Sequence, residues 1–243
     1  MEPRFLLLCL FIFLSFTTEA LTGFGSIIIA VALGANFYPI SEILPLVVPL
    51  NLILSAYFVI RYFRLIDRQL IFKIIFPIMG CGTILGYYSI QFIEGDTLKI
   101  IFGFSVMLFA GREIYKFYAK KENNQTMSKL YQFFWIFSSG IIHGIYASGG
   151  PMLVYAMSGS TKSKGVFRAT LSAVWFSMNL LLTIMYIYNR QIDESNFGAL
   201  ITIFPIVIIG IVLGELLHHR INEQKFRLVV YFLLLISGLL LVT

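Results

Sequence analysis

One plan is written twice in this chain. Phe76-Pro77-Ile78, followed by Gly82, Leu85 and Gly86, returns as Phe204-Pro205-Ile206, followed by Gly210, Leu213 and Gly214. The offset that relates them (76 to 204) also carries Asn51 onto Asn179. A second offset (19 to 143) lays Glu19-Ala-Leu-Thr-Gly-Phe-Gly-Ser26 on His143-Gly-Ile-Tyr-Ala-Ser-Gly-Gly150. A short insertion or deletion therefore separates the two registers, while the order of the segments is kept. In a strongly apolar chain, an internal duplication of this length is the usual ground plan of a membrane transporter.

Composition says where such a chain must live. Of 243 residues, 58% are hydrophobic and only 12% charged, about half the charged share of a soluble domain. Apolar runs of roughly 20 residues, enough to cross a bilayer as helix, recur throughout. The expected class is an all-α polytopic membrane protein of the cell (plasma or inner) membrane, crossing it several times. The net charge of +6 does not point to nucleic acid. The basic residues sit in short loops beside apolar spans, where they set orientation and meet anionic lipid headgroups. Cys9 and Cys81 both fall within apolar runs, so neither a disulfide nor a metal site is expected. Met1-Glu-Pro-Arg4 before Phe5 to Phe16 resembles a signal peptide. The next residues, from Glu19 onward, belong to the internal repeat, however. A removable leader would not be part of a repeat, so the segment is expected to be retained.

Eight apolar segments can be drawn, at about 5–33, 40–60, 69–90, 98–118, 133–157, 167–188, 198–217 and 226–243. They divide the chain into a first membrane repeat (1–118), a polar cytoplasmic linker (119–130) and a second membrane repeat (131–243). Lys and Arg in the loops decide orientation. Arg61, Arg64 and Arg68 follow the second segment; Arg112, Lys116, Lys120, Lys121 and Lys129 surround the linker. Lys162, Lys164 and Arg168 follow the fifth segment, and Arg220, Lys225 and Arg227 the seventh. The connections after the third and sixth segments hold one basic residue each, Lys99 and Arg190, and the stretch 34–42 holds none. Eight simple crossings cannot put every basic loop inside. The conflict disappears if the first and fifth segments are re-entrant hairpins, making the halves inverted copies with three full crossings each. Eight ordinary spans in parallel repeats are the alternative.

Leu21-Thr-Gly-Phe-Gly-Ser26 and Tyr146-Ala-Ser-Gly-Gly-Pro151 lie where such hairpins would turn. Glycine permits left-handed backbone and close approach of a ligand. Where a helix restarts after a break, its first amides lack partners and its dipole is positive, which suits an anion. Pro151 fits the first turn of the restarting helix. Thr22, Gly23, Gly25, Ser26, Ser148, Gly149 and Gly150 are therefore candidate substrate contacts. The competing reading is that the glycines only allow close helix packing.

These segments, together with Phe167-Arg-Ala-Thr-Leu171 at the start of the sixth span, resemble the TauE/SafE family over nearly the whole chain. The first segment differs from the family's frequent Gly-Gly pair by carrying Ser26 after Gly25. The resemblance implies a transporter of sulfite, sulfonates or related sulfur-containing anions. It also marks Arg168 as an anion-attracting gate residue, against a simple snorkelling anchor. Lys162 and Lys164 read as positive-inside charges.

Glu19 and His143 occupy equivalent places, each just before its Gly turn. An ionisable residue at membrane depth faces a cavity or a partner, and this pair is the candidate for carrying a coupling proton. Asn51 and Asn179, in matching mid-span positions, either bond a neighbouring helix or line the substrate path. His218, His219 and Arg220 read as a solvated edge. The function expected is secondary transport of a small anion by alternating access, with the anion near the midplane between the Gly turns and the paired Asn. No P-loop is present, and no cofactor or oligomeric state is implied. An anion channel of the same architecture is one rival. An intramembrane enzyme is the other, but no His-Glu-x-x-His run or intramembrane aspartate pair supports it.

Overall fold

In a bilayer every backbone amide and carbonyl must be satisfied within the protein, which leaves a non-barrel chain only helix. The computed structural model describes residues 3–22, 25–119, 128–157, 164–192, 194–218 and 223–243, and among these it is helical with no strand. The order is α1 (Pro3–Thr22), α2 (Ser26–Gly34), α3 (Ile40–Arg61), the short α4 (Arg68–Leu70), α5 (Phe76–Ser89) and α6 (Gly95–Ala119). Next come α7 (Lys129–Tyr146), α8 (Gly150–Met157), α9 (Lys164–Tyr188), α10 (Glu194–His218) and α11 (Glu223–Val242). A π-helical turn, Ile71–Ile75, joins α4 to α5 just ahead of Pro77. Among the described residues, five stretches are long and apolar enough to cross a membrane: Pro3–Thr22, Ile40–Arg61, Arg68–Phe92, Gly165–Tyr188 and Asn196–Leu217. The last is the most apolar of them, yet only 22% of it is buried. Ile201, Ile209, Val212 and Leu216 stand exposed along it. Such a face is stable only against lipid. The chain is a multi-pass helical membrane protein.

The two segments expected to be hairpins are each broken once. α1 ends at Thr22 and α2 begins after Gly25, whose φ of 104° lies in the left-handed region open to glycine. α2 then folds back along α1. A Cβ at Gly34 would stand 3.4 Å from Leu8 Cδ1, and the Phe11 and Phe37 rings are 5.9 Å apart. α7 ends at Ala147, left-handed at φ 50°, and α8 folds back along α7. Gln132 Nε2 donates to Ala156 O at 3.0 Å, and the Trp135 and Tyr155 rings are 5.1 Å apart. The other segments form α3, the α4–α5 stretch, α6, α9, α10 and α11.

Two compact units draw on both halves of the sequence. One takes the described parts of Met1–Val47, Ile93–Glu122 and Glu194–Thr243, the other those of Val48–Phe92 and Asn123–Asp193. The first is built on Ile12, Phe16, Leu21 and Val31, all fully buried. The second is built on Ile75, Met79, Ile136, Leu153, Val174 and Met178.

The duplicated glycines stand at close helix contacts in each unit. In the second, α5 lies on α7: a Cβ at Gly82 would come within 2.5 Å of Phe137 O, and one at Gly86 would overlap Ile141 O. In the first, α10 lies on α1: a Cβ at Gly210 would meet Phe13 O at 3.1 Å, and one at Gly214 would meet Thr17 O at 2.5 Å. Phe13 and Phe137, and likewise Thr17 and Ile141, correspond under the register that pairs Glu19 with His143. Matching positions of the repeated segments thus meet matching partners at these crossings. Each Phe-Pro-Ile helix packs on the broken helix of the other half of the sequence. Small residues at such crossings let backbones approach where no hydrophobic effect holds helices together.

Candidate functional site

The first turn belongs to the first unit. Within α2, Ile29 N–H is the amide that bonds back to Gly25 O, at 3.0 Å. The amides of residues 26–28 ahead of it have no place in the helix ladder. Glu19, one turn before the end of α1 and only 5% exposed, supplies an acceptor. Its Oε2 receives the Ser26 N–H at 2.7 Å. A buried carboxylate is tolerable when amide donors and the positive end of a helix face it. Ser26 is fully buried. Thr22 is buried too, and its hydroxyl donates to Thr18 O at 2.8 Å. Thr22 and Gly25 line a small cavity of about 20 Å³ with Thr18, Ile28, Phe109 and Tyr231, room for about one water. Gly23 lies outside the described residues.

The second turn belongs to the second unit, and its chemistry differs. Leu153 N–H is the first amide of α8 to bond back, to Gly149 O at 3.2 Å. Ahead of it the Gly150 and Met152 amides precede the ladder, and Pro151 has none to offer. Ser139 Oγ donates to Gly149 O at 2.7 Å, and Ser148 Oγ donates to Tyr146 O at 2.9 Å. His143 stands where Glu19 stands in the first turn. It is 1% exposed, its Cβ is 3.0 Å from where a Cβ on Gly149 would sit, and neither ring nitrogen has a hydrogen-bond partner. Its ring stacks on Trp175 at 5.9 Å and 19°. The Trp175 edge in turn lies 3.5 Å from a Cβ position on Gly150. The Asn179 amide faces the same ring, outside hydrogen-bonding geometry, and its Oδ1 is a second buried atom without a partner.

From Asn179 the polar chain continues to α3. Asn179 Nδ2 donates to Asn51 Oδ1 at 2.7 Å, and Ser55 Oγ lies 2.8 Å from both the Oδ1 and the backbone O of Asn51. Ser55, Asn51, Asn179, His143 and the α8 turn form one buried polar track through an otherwise apolar unit. Unsatisfied buried polar atoms are rare and ask for an occupant. The arrangement can accept a small anion at free amides, with an imidazole beside it, in a site of low dielectric.

Arg168 is elsewhere. It lies eleven residues before Asn179 on α9, about 16 Å along the helix axis, with its guanidinium carbon 5.2 Å from the Phe58 ring centroid. Its Nε has no hydrogen-bond partner. The structure brings together His143, Ser148, Gly149, Gly150, Asn51 and Asn179, and separately Glu19, Thr22, Gly25 and Ser26. Lys162, His219, Arg220 and residues 120–127 of the linker lie outside the described residues. Among the described residues no group of His, Cys, Asp or Glu is placed to hold a metal.

Three residues at the second turn were not among those expected from sequence. Trp175 sits four positions before Asn179, and Ser55 four after Asn51, so helical spacing alone places each on the face of its Asn. Ser139 carries no comparable signal.

A family model described as sulfite exporter TauE/SafE matches residues 8–241. No curated protein and no solved structure matches the chain.

Proposed function

Because the chain belongs to the TauE/SafE family of sulfite-exporter-type membrane transporters, we propose that it is a secondary transporter moving a small sulfur-containing anion, sulfite or a sulfonate, across the cell membrane by alternating access. The observation that carries this reading is the second turn, where the Gly150 and Met152 amides open α8 beside a buried His143 with no hydrogen-bond partner. Free amides at a helix start favour an oxyanion without a cationic side chain, which keeps binding weak enough for release. His143 N–H is one more donor. Asn51 and Asn179 orient the far side of the site, Gly149 lets the turn pack tightly on Ser139 O, Gly150 leaves its amide open to the ligand, and Ser148 rotates its hydroxyl from Tyr146 O when an anion enters.

The first turn, with Thr22, Gly25 and Ser26, is the corresponding place in the other half, where the Glu19 side chain meets the Ser26 amide. Arg168, at the start of α9, attracts the anion toward the membrane. Glu19 and His143 are the candidates for a coupling proton, and the proton is the coupling ion this reading favours.

Purified protein in proteoliposomes provides the test. Sulfite flux should saturate and should accelerate when sulfite is present on the far side, whereas sulfate, thiosulfate and sulfonates rank its selectivity. His143→Ala should weaken sulfite affinity roughly tenfold to a hundredfold, the worth of a charge-assisted hydrogen bond. Glu19→Gln should keep exchange but lose accumulation driven by a pH gradient. Linear flux without counterflow would make the protein a channel. Absence of any sulfur-anion flux would end the transport reading.

A further inference from the structure

The two turns are equivalent in sequence and opposite in chemistry. Under the register that pairs them, Ser26 corresponds to Gly150 and Glu19 to His143. In the first turn the restarting helix already meets an oxygen acceptor of the chain itself: Glu19 Oε2 accepts the Ser26 amide at 2.7 Å, and Glu19 is buried. In the second, the residue in that position is an imidazole whose ring nitrogens are both without a partner, although it is 1% exposed. The helix it faces opens with amides that no ladder bond consumes. Both helices present the same positive end. One is filled by a group covalently attached to the chain, the other is not.

We propose that Glu19 is the resident anion of the first turn, so that the protein takes free anion at one of its two equivalent turns, the α8 turn beside His143. The inference rests on the anion-transport reading above and adds to it the stoichiometry and the residue that sets it. A side chain tethered seven residues away along the chain has a high effective concentration at its site, so a dissolved oxyanion cannot displace it at ordinary concentrations. The carboxylate also repels a second anion from the same helix end. His143 does neither, since a neutral imidazole offers a donor and carries no negative charge.

The test is equilibrium binding of radiolabelled sulfite to the full-length protein in detergent. Wild type should bind one sulfite per chain. Glu19→Ala vacates the first turn and should bind two, whereas Glu19→Gln, which keeps the size and an amide oxygen for Ser26 N–H, should stay at one. At the second turn the size-matched pair decides independently of whether Glu19→Ala folds. His143→Gln should retain sulfite binding within about tenfold of wild type, and His143→Glu should lose at least a hundredfold, with both variants melting alike. Two sulfites on wild type, one on a folded Glu19→Ala, or equal affinities for His143→Gln and His143→Glu would each overturn the inference while leaving transport standing. No sulfite on wild type would remove the transport reading, and this inference with it.

Discussion

Asn179 Nδ2 donates to Asn51 Oδ1 at 2.7 Å, and the two residues are separated in sequence by 128 positions, the same interval that relates the two Phe-Pro-Ile helices. Equivalent residues of a duplicated chain touch one another only where the two copies meet. The bond is one place where the two halves of the sequence meet, and its two residues are 2% and 1% exposed. Replacing Asn51 by Ala leaves the Asn179 amide with neither of its polar atoms bonded. The expected loss is about 1–2 kcal/mol, read as a lower melting temperature in detergent. Replacing both residues by Leu should cost less than the two single losses added together, because no orphaned amide remains. Strict additivity would show that the bond contributes nothing.

The duplicated glycines should behave oppositely to glycines elsewhere. Gly→Ala inside a helix ordinarily stabilises it by up to about 1 kcal/mol. At Gly111 nothing lies within 4 Å of the added Cβ, and thermal unfolding should show that gain. At Gly86 and Gly214 the Cβ would strike the backbone of α7 and α1. Both substitutions should destabilise by roughly 1–3 kcal/mol through forced separation of the helices. A neutral result at Gly86 would show that the α5–α7 crossing yields without cost.

Arg168 separates the gate role from the anchor role. We expect Arg168→Ala to weaken sulfite affinity by roughly tenfold to a hundredfold, as for a charge pair worth about 1.5–3 kcal/mol at partly desolvated depth. Lys162→Ala should have little effect. Sulfite dose–response in proteoliposomes reads both, and equal, slight effects would leave Arg168 a snorkelling side chain stacked on Phe58.

Sidedness depends on the hairpins. If the repeats are inverted, single cysteines near Asn36 and Asn196 should react with an impermeant thiol reagent from outside intact cells, once Cys9 and Cys81 are replaced. Cysteines near Asn124 and Ser163 should stay protected. Opposite accessibility at Asn124 and Ser163 would mean that the α7–α8 element crosses the membrane, and the inverted arrangement would fall.

Much of this was legible in the residues alone. Apolar runs dictate helices because lipid satisfies no backbone group, so element type follows from composition and length. The break at Gly25 was legible for a local reason, since glycine allows the left-handed turn; at the second break the left-handed residue is Ala147 rather than a glycine, which the sequence did not indicate. The equivalence of Glu19 and His143 was likewise visible once the repeat was aligned.

What the sequence could not decide is which group fills which partner. Glu19 was readable as an ionisable residue before a turn, but not as a carboxylate seated on the Ser26 amide seven residues on. Asn51 and Asn179 were readable as a pair by position, but not as a bonded pair. The glycines at 82 and 210 were readable as repeated positions, but not as close contacts, each with a helix from the other half of the chain. Propensity and hydropathy are local properties, carried by neighbours in sequence, and they determined the helices and their breaks. Hydrogen bonds and helix crossings depend on residues more than a hundred positions apart coming together, and only the tertiary structure sets that distance.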